Sequence, residues 1–407
     1  MIENNNKWRK ITIGDLGKIV TGKTPSTKNE NFWNGDIPFV TPADLQKTKH
    51  IFSTERTVSQ DGLTAVKGAT LPTGAICVSC IGNLGYTAMT THTSVSNQQI
   101  NSIIPSVEFD KNFVYYLMKS LWDEFKNLEG QSTTLSILNK TLFSKIEVTV
   151  PDLATQQQIA KVLSSLDDKI ELNTQINHNL EEQAKAIFKS WFVDFSALEV
   201  QEFFDNNGVR VPEGWDVSCL TNIADYLNGL AMQKYRPDDG DVGYPVLKIK
   251  ELRQGMCDRD SERCSTISVK PEYIVHDGDV IFSWSGSLLV DFWCGGDCGL
   301  NQHLFKVTST KFDKWFYYSW TLHHLNEFIA IAADKATTMG HIKRENLQTA
   351  VVLIPPKNVY DEIGKLLGPI YESIVRNRVE SKRLAQLRDA LLPKLMSGEL
   401  DVSEVQV

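Results

Sequence analysis

The chain has 407 residues, with 42% apolar and 23% charged side chains and a formal net charge of −8, values of an ordinary folded protein with room for two or three domains. An acidic total excludes a general phosphate-coating protein. The seven scattered cysteines exclude a disulfide framework. No apolar run approaches the ~20 residues of a membrane helix, and the polar start has no signal-peptide core, so a cytoplasmic location is expected.

Local charge is uneven. Residues 1–150 carry 15 Lys+Arg and 13 Asp+Glu, a net of +2, whereas 200–350 carry 15 and 21, a net of −6. DNA contact would therefore need local basic clusters or a partner protein.

Read in chain order, residues 1–150 form a mixed module. Short apolar runs bounded by Gly, Pro or polar residues predict strands at 75–81 and 146–150, and aromatic residues at helical spacing predict a helix over 113–128. Cys77 and Cys80 have the spacing of a zinc pair, but a site needs four converging ligands. They read instead as small apolar residues of the 75–81 strand. After Pro151 the spacing becomes that of a long helix over 151–199, with a seam at Ile159, Leu163, Leu166, Ile170, Asn173, Asn177 and Leu180.

The pattern then starts again. Trp8 falls on Trp215, Gly22 on Gly229, Pro38 on Pro245, Gly74 on Gly278, Asn97 on Asn301, Thr133 and Thr134 on Thr337 and Thr338, and Pro151 on Pro355, at a near-constant offset of about 205 residues. A second module at 200–354 has predicted strands at 280–284 and 350–354 and a predicted helix over 314–331. A second helix at 355–407 carries Ile363, Leu367, Ile370, Ile374 and Asn377, then slips to Leu387 and Leu391. A seam of this kind fits a partner helix, and an asparagine within it fixes register. The alternative is a helix lying on its own module; two helices at matching positions favour mutual pairing. The expected fold is α+β: two mixed modules separated by an antiparallel two-helix coiled coil, related by an internal pseudo-two-fold axis. About 40 residues of helix would make a rod of about 60 Å.

Candidate DNA contacts are the polar and basic loop residues at matching places. In the first module these are Lys23, Thr24, Ser26, Lys28, Gln98, Gln99, Thr133, Thr134 and Lys140. In the second they are Lys234, Tyr235, Arg236, Gln302, His303, Thr337, Thr338, Lys343 and Arg344. Lys and Arg neutralise phosphates, and Gln and Arg bond base edges. Each could equally be a solvated loop residue, and Asn97 and Asn301 read as turn residues. No amino-methyltransferase tetrapeptide and no phosphate-binding loop is present. Asp152, Asp167, Asp168 and Lys169 have the order of a metal-dependent nuclease, but a helix would hold the outer carboxylates ~20 Å apart. No metal ligand set and no catalytic residue is assigned.

Four motifs carry a family resemblance. GKIVTGKTPS from Gly17 and WNGDIPFVTPADL from Trp33 resemble the opening of a target-recognition domain in the specificity subunits of type I restriction-modification enzymes. AIFKSWFVDF from Ala186 resembles the family's central conserved region. GLNQHLF from Gly299 resembles an element of its second recognition domain, and RDALLPKLMSGEL from Arg388 its C-terminal conserved region. The resemblance implies a non-catalytic subunit that binds double-stranded DNA at a split, asymmetric target. Two methyltransferase subunits would dock on its helices, and restriction subunits would join them. It implies no cofactor on this chain, S-adenosylmethionine on the methyltransferase, and ATP and magnesium on the restriction partner. A free enzyme, or a scaffold that never meets DNA, are the competing readings.

Overall fold

The structure, a computed structural model, describes residues 8–46, 48–130, 137–198, 203–206, 208–258, 260–334 and 340–402. It divides into two units, 1–171 with 384–407, and 172–383. Thr133, Thr134, Thr337 and Thr338 lie outside the described residues. No helix among the described residues is long and apolar enough to cross a membrane.

In the first unit β1 (Arg9–Thr12) pairs antiparallel with β11 (Glu147–Val150). A five-stranded sheet runs in the order β2 (Gly17–Thr21), β10 (Ile100–Pro105), β7 (Ile76–Ser79), β8 (Thr87–Thr90), β4 (His50–Ile51). A four-stranded sheet runs β5 (Arg56–Val58), β3 (Trp33–Val40), β9 (Ser94–Ser96), β6 (Thr70–Leu71). The second module opens with a hairpin, β12 (Phe203–Asn206) with β13 (Val209–Pro212), and then repeats the plan. Strand β14 (Asp216–Cys219) pairs with β23 (Val351–Ile354). One sheet runs β15 (Asp225–Asn228), β22 (Leu304–Thr308), β19 (Val280–Ser283), β20 (Leu289–Phe292). The other runs β17 (Arg263–Cys264), β16 (Tyr244–Leu247), β21 (Cys298–Leu300), β18 (Ile274–Val275). The fold is therefore α+β and duplicated, as the sequence repeat implies.

Cys77, on β7, and Cys80, just beyond it, are buried in apolar clusters, and burial pushes both thiols up to about 12. They stay protonated and pack as small apolar groups.

The predicted helix over 113–128 is two helices, α1 (Lys111–Ser120) and α2 (Trp122–Gly130), broken at Leu121. The break turns Trp122 onto Tyr86 (ring centroids 5.2 Å apart) and Phe125 onto Phe143 (6.4 Å), directions an unbroken stripe could not serve. The predicted helix over 314–331 divides likewise, into α4 (Lys314–His323) and α5 (Leu325–Asp334), with His324 between them.

Two long helices complete the fold, α3 (Leu153–Phe188) and α6 (Lys357–Met396). Asp152 starts α3 by accepting the Thr155 N–H at 2.8 Å. Within the first unit Ile159 and Leu163 are buried with Leu392 and Leu395 of α6, but also with Phe113 and Tyr116 of the module. Within the second, Ile363, Leu367 and Ile374 are buried with Ala184 and Phe188 of α3 and with Trp315 and Phe316 of the module. Each helix thus packs both on its own module and on the other helix. Leu166, Ile170 and Ile370 are half-buried and Leu387 is 48% exposed, whereas Leu391 packs half-buried against the first core beside the buried Leu392 and Leu395. In the second unit the helices run antiparallel: Asn173 Nδ2 donates to Glu380 and Ser381 (2.8 and 3.2 Å), and Asn377 Nδ2 donates to Asn177 Oδ1 (2.9 Å).

Candidate nucleic-acid interface

The described candidate residues sit on or beside one frame of three loops, present in each unit. Its keystone is a glycine. Gly22 N–H donates to Ile100 O at 3.0 Å, and a Cβ at this position would lie 2.0 Å from Asn97 O. Only glycine lets the strand exit cross the neighbouring turn so closely. The crossing sets Thr24 beside Gln98, whose Oε1 accepts the Thr24 hydroxyl at 2.7 Å. Asn97 Oδ1 accepts the Gln99 N–H at 3.1 Å and its Nδ2 donates to Gln99 Oε1 at 2.9 Å, so Asn97 is a turn residue that aims Gln99.

The third loop joins through the Ile81–Ile137 bridge and the Leu138 N–H on Cys80 O at 2.8 Å. Asn139 then caps a short helix through Leu142 N–H (3.0 Å), leaving Lys140 exposed on its first turn. Lys23, Thr24, Gln98, Gln99 and Lys140 are thus gathered on this frame. Ser26 and Lys28 lie at its rim. There the Ser26 carbonyl accepts Trp33 Nε1 at 3.2 Å, and the Arg56 guanidinium sits 3.8 Å from the Trp33 ring centroid.

The second unit repeats the frame. Gly229 N–H donates to Leu304 O at 2.9 Å, and a Cβ there would lie 2.2 Å from Asn301 O. Leu230 bridges to Asn301, and Asn301 Oδ1 accepts the His303 N–H at 3.4 Å. The third loop joins through the Ser285–His341 bridge, and Lys343 and Arg344 follow, both exposed. His303 Nδ1 lies 3.1 Å from Ser285 Oγ, and its ring lies 6.0 Å from Trp284, which is itself 6.4 Å from His341. Trp284 Nε1 donates to Asn228 at 2.9 Å. Gln302 stands beside His303 with its Oε1 accepting no bond from the described residues. Lys234 and Arg236 are exposed on the strand exit, but Tyr235 is half-buried against a small apolar cluster, and its carbonyl accepts Ser265 N–H. Tyr235 therefore holds the loop in place.

Sequence reasoning missed Trp33, Arg56, Trp284 and His341. Trp284 reads as the end of an apolar strand; only the bridge beyond it shows that it faces the loops. The acidic residues with the order of a nuclease site serve the helices instead. Asp152 caps α3, and Asp167 accepts Tyr116 and Arg388.

One backbone frame is thus shown twice with different side chains: Ile81, Gln99 and Ile137 stand where Ser285, His303 and His341 stand in the other copy. This defines a tandem recognition protein. The type I restriction modification DNA specificity domain matches residues 5–182 and 212–387, and the chain belongs to that family. It is 30% identical over 411 residues to the type I restriction enzyme MjaIX specificity subunit of Methanocaldococcus jannaschii, covering 98% of this chain and 94% of that one. It is 36% identical over 177 residues to the HindI specificity subunit of Haemophilus influenzae, covering 43% of this chain and 39% of that one. The S subunit of a type I restriction-modification system from M. genitalium shares the fold, with a TM-score of 0.59 at 14% identity and 97% of each chain covered.

Proposed function

We propose that this chain is the DNA specificity subunit of a type I restriction-modification system and reads a split, asymmetric target. The reading modules are residues 1–150 and 200–354, and the helices at 151–199 and 355–407 carry the partner subunits. The observation that carries the reading is the repeated loop frame: one scaffold, two unlike sets of side chains, hence two unlike half-sites. In this reading Gln98 and Gln99 in one copy, and Gln302 and His303 in the other, bond base edges. Lys23, Lys28 and Lys140, and Lys234, Arg236, Lys343 and Arg344, neutralise phosphates. Thr24 and Ser26 support the first loop.

Catalysis belongs to the partners: two methyltransferase subunits bearing S-adenosylmethionine, and restriction subunits using ATP and magnesium. The chain acts in the cytoplasm, where host DNA is modified. Co-expression with the cognate methyltransferase subunit, followed by mapping of modified adenines, tests this. Methylation at one split sequence is expected. Methylation by this chain alone, or none that depends on it, would overturn the reading.

A further inference from the structure

Each module is held on its helices through a charge, buried in the first unit and half-buried in the second, and the sign of that charge differs between the units. In the first unit it is Asp167 of α3, 6% exposed. One of its oxygens accepts the Tyr116 hydroxyl of α1 at 2.6 Å, and the other accepts Arg388 of α6 at 2.5 Å. Beside it Lys49 Nζ donates to Ser164 Oγ at 2.8 Å, and His50 Nδ1 lies 3.0 Å from Glu171. Ser164, Asp167 and Glu171 share one face of α3. Here the helix supplies the acids and the module the bases.

In the second unit the charge is Arg378 of α6. Its guanidinium donates to Asp291 of β20 at 2.7 Å and to Glu181 of α3 at 2.8 Å. Ser319 and Tyr371 meet on the same contact at 3.0 Å. Here the helix supplies the base and the module the acid. Burial disfavours the charge on Arg378, and Asp291 and Glu181 more than offset it. The two charges do not occupy matching places in the repeat, where Asp167 falls on Tyr371.

Both clamps have three parts: a module group, a charge on the helix that follows the module, and an opposite charge on the other long helix. An apolar contact tolerates a small slide or rotation. A forked guanidinium between two carboxylates fixes distance and angle together, and a shift leaves a desolvated charge unpaired. Opposite signs also key each module to its own helical face, since Asp291 set against Asp167 and Glu171 would place like charges together.

We propose that Arg378 and Asp167 are positioning residues: by fixing each module's seat on its helices they fix the number of unread base pairs tolerated between the half-sites. This rests on the reading that the two modules read DNA.

The test uses the full chain with its methyltransferase subunit, on plasmids whose two half-sites are separated by spacers of graded length. Wild type should methylate one length. Arg378→Met should raise methylation at lengths one base pair shorter or longer by about tenfold relative to the preferred length, a loss of about 1.4 kcal/mol of discrimination, with both half-site sequences unchanged. Because Arg378→Met strands Asp291 and can impair folding, Arg378→Met with Asp291→Asn removes both charges of that pair. The double variant should melt higher than the single one yet show the same broadened profile. Arg378→Lys, which keeps the charge without the fork, should fall between. A folded double variant with the single wild-type length, or with no methylation at any length, would overturn the positioning role. Wild type that methylates no split site would instead overturn the functional reading, and this inference with it.

Discussion

Gly229→Ala perturbs the keystone of one loop frame with a single methyl group. The new Cβ would start 2.2 Å from Asn301 O and 2.4 Å from Leu300 O, against a C···O contact distance of about 3.3 Å. The strand exit must retreat by about 1 Å. That retreat breaks or stretches two backbone hydrogen bonds, Gly229 N–H to Leu304 O and Leu230 N–H to Leu300 O, both 2.9 Å. At about 0.5–1.5 kcal/mol each, the loss is about 1–3 kcal/mol. For a unit of this size the melting temperature should fall by about 2–12 °C in calorimetry. The functional consequence is sharper, because the loop bearing Lys234 and Arg236 is moved away from Gln302 and His303. Methylation of sites altered one base at a time should lose discrimination in the half read by residues 200–354 and keep it in the other. Gly22→Ala should do the reverse. A Gly229→Ala protein that melts and discriminates like wild type, or that blurs both halves equally, would refute the close-approach reasoning.

Asn377→Ala should destabilise the second unit by about 1–3 kcal/mol, because Asn177 Oδ1 loses its donor in a buried place; chemical denaturation measures it, and an unchanged midpoint would refute it. Alanine at Lys140, or at Lys343 and Arg344, should lower the slope of log affinity against log salt by about 0.9 per lost phosphate contact. Fluorescence anisotropy on duplex DNA across a salt series reads that slope, and an unaltered slope would make these residues ordinary solvated charges. His323 lies against Phe188 and Trp320. Although the residue is exposed, the two rings shield its imidazole, and this partial desolvation and then the neighbouring His324 hold it below the usual histidine range, against the opposing pull of Glu327. The unfolded chain therefore takes up this proton first, and stability present above about pH 6.5 is lost as pH falls towards the lower folded value. Melting at pH 7.5 and 5.5 should show that loss in wild type and a smaller one in His323→Phe; equal losses would exclude His323 as the source.

The duplication was readable because its strongest signals are backbone requirements. Gly22 and Gly229 sit where a side chain would strike a carbonyl, and Asn97 and Asn301 close the turns they strike. The strands near 75–81 and 280–284 were readable as apolar runs between turn residues. The breaks at Leu121 and His324 were hidden, because aromatic spacing on either side continues the helical pattern and only the distant rings of Tyr86 and Phe143 pull the second helix round. Trp284 was hidden by its own hydrophobicity. The clamps at Asp167 and Arg378 were the least legible. A periodicity argument finds which positions face inward, but it gives no hint that a charged position will meet Tyr116 and Arg388, or Asp291 and Glu181, far away in sequence.

The most direct test of the central claim is an exchange of the first module, residues 1–150, for the corresponding module of a relative with a different target, followed by mapping of methylated adenines. One half of the split sequence should change to that of the donor, while the other half stays as in the parent. A change in both halves, or in neither, would contradict the claim that each copy of the loop frame reads its own half-site.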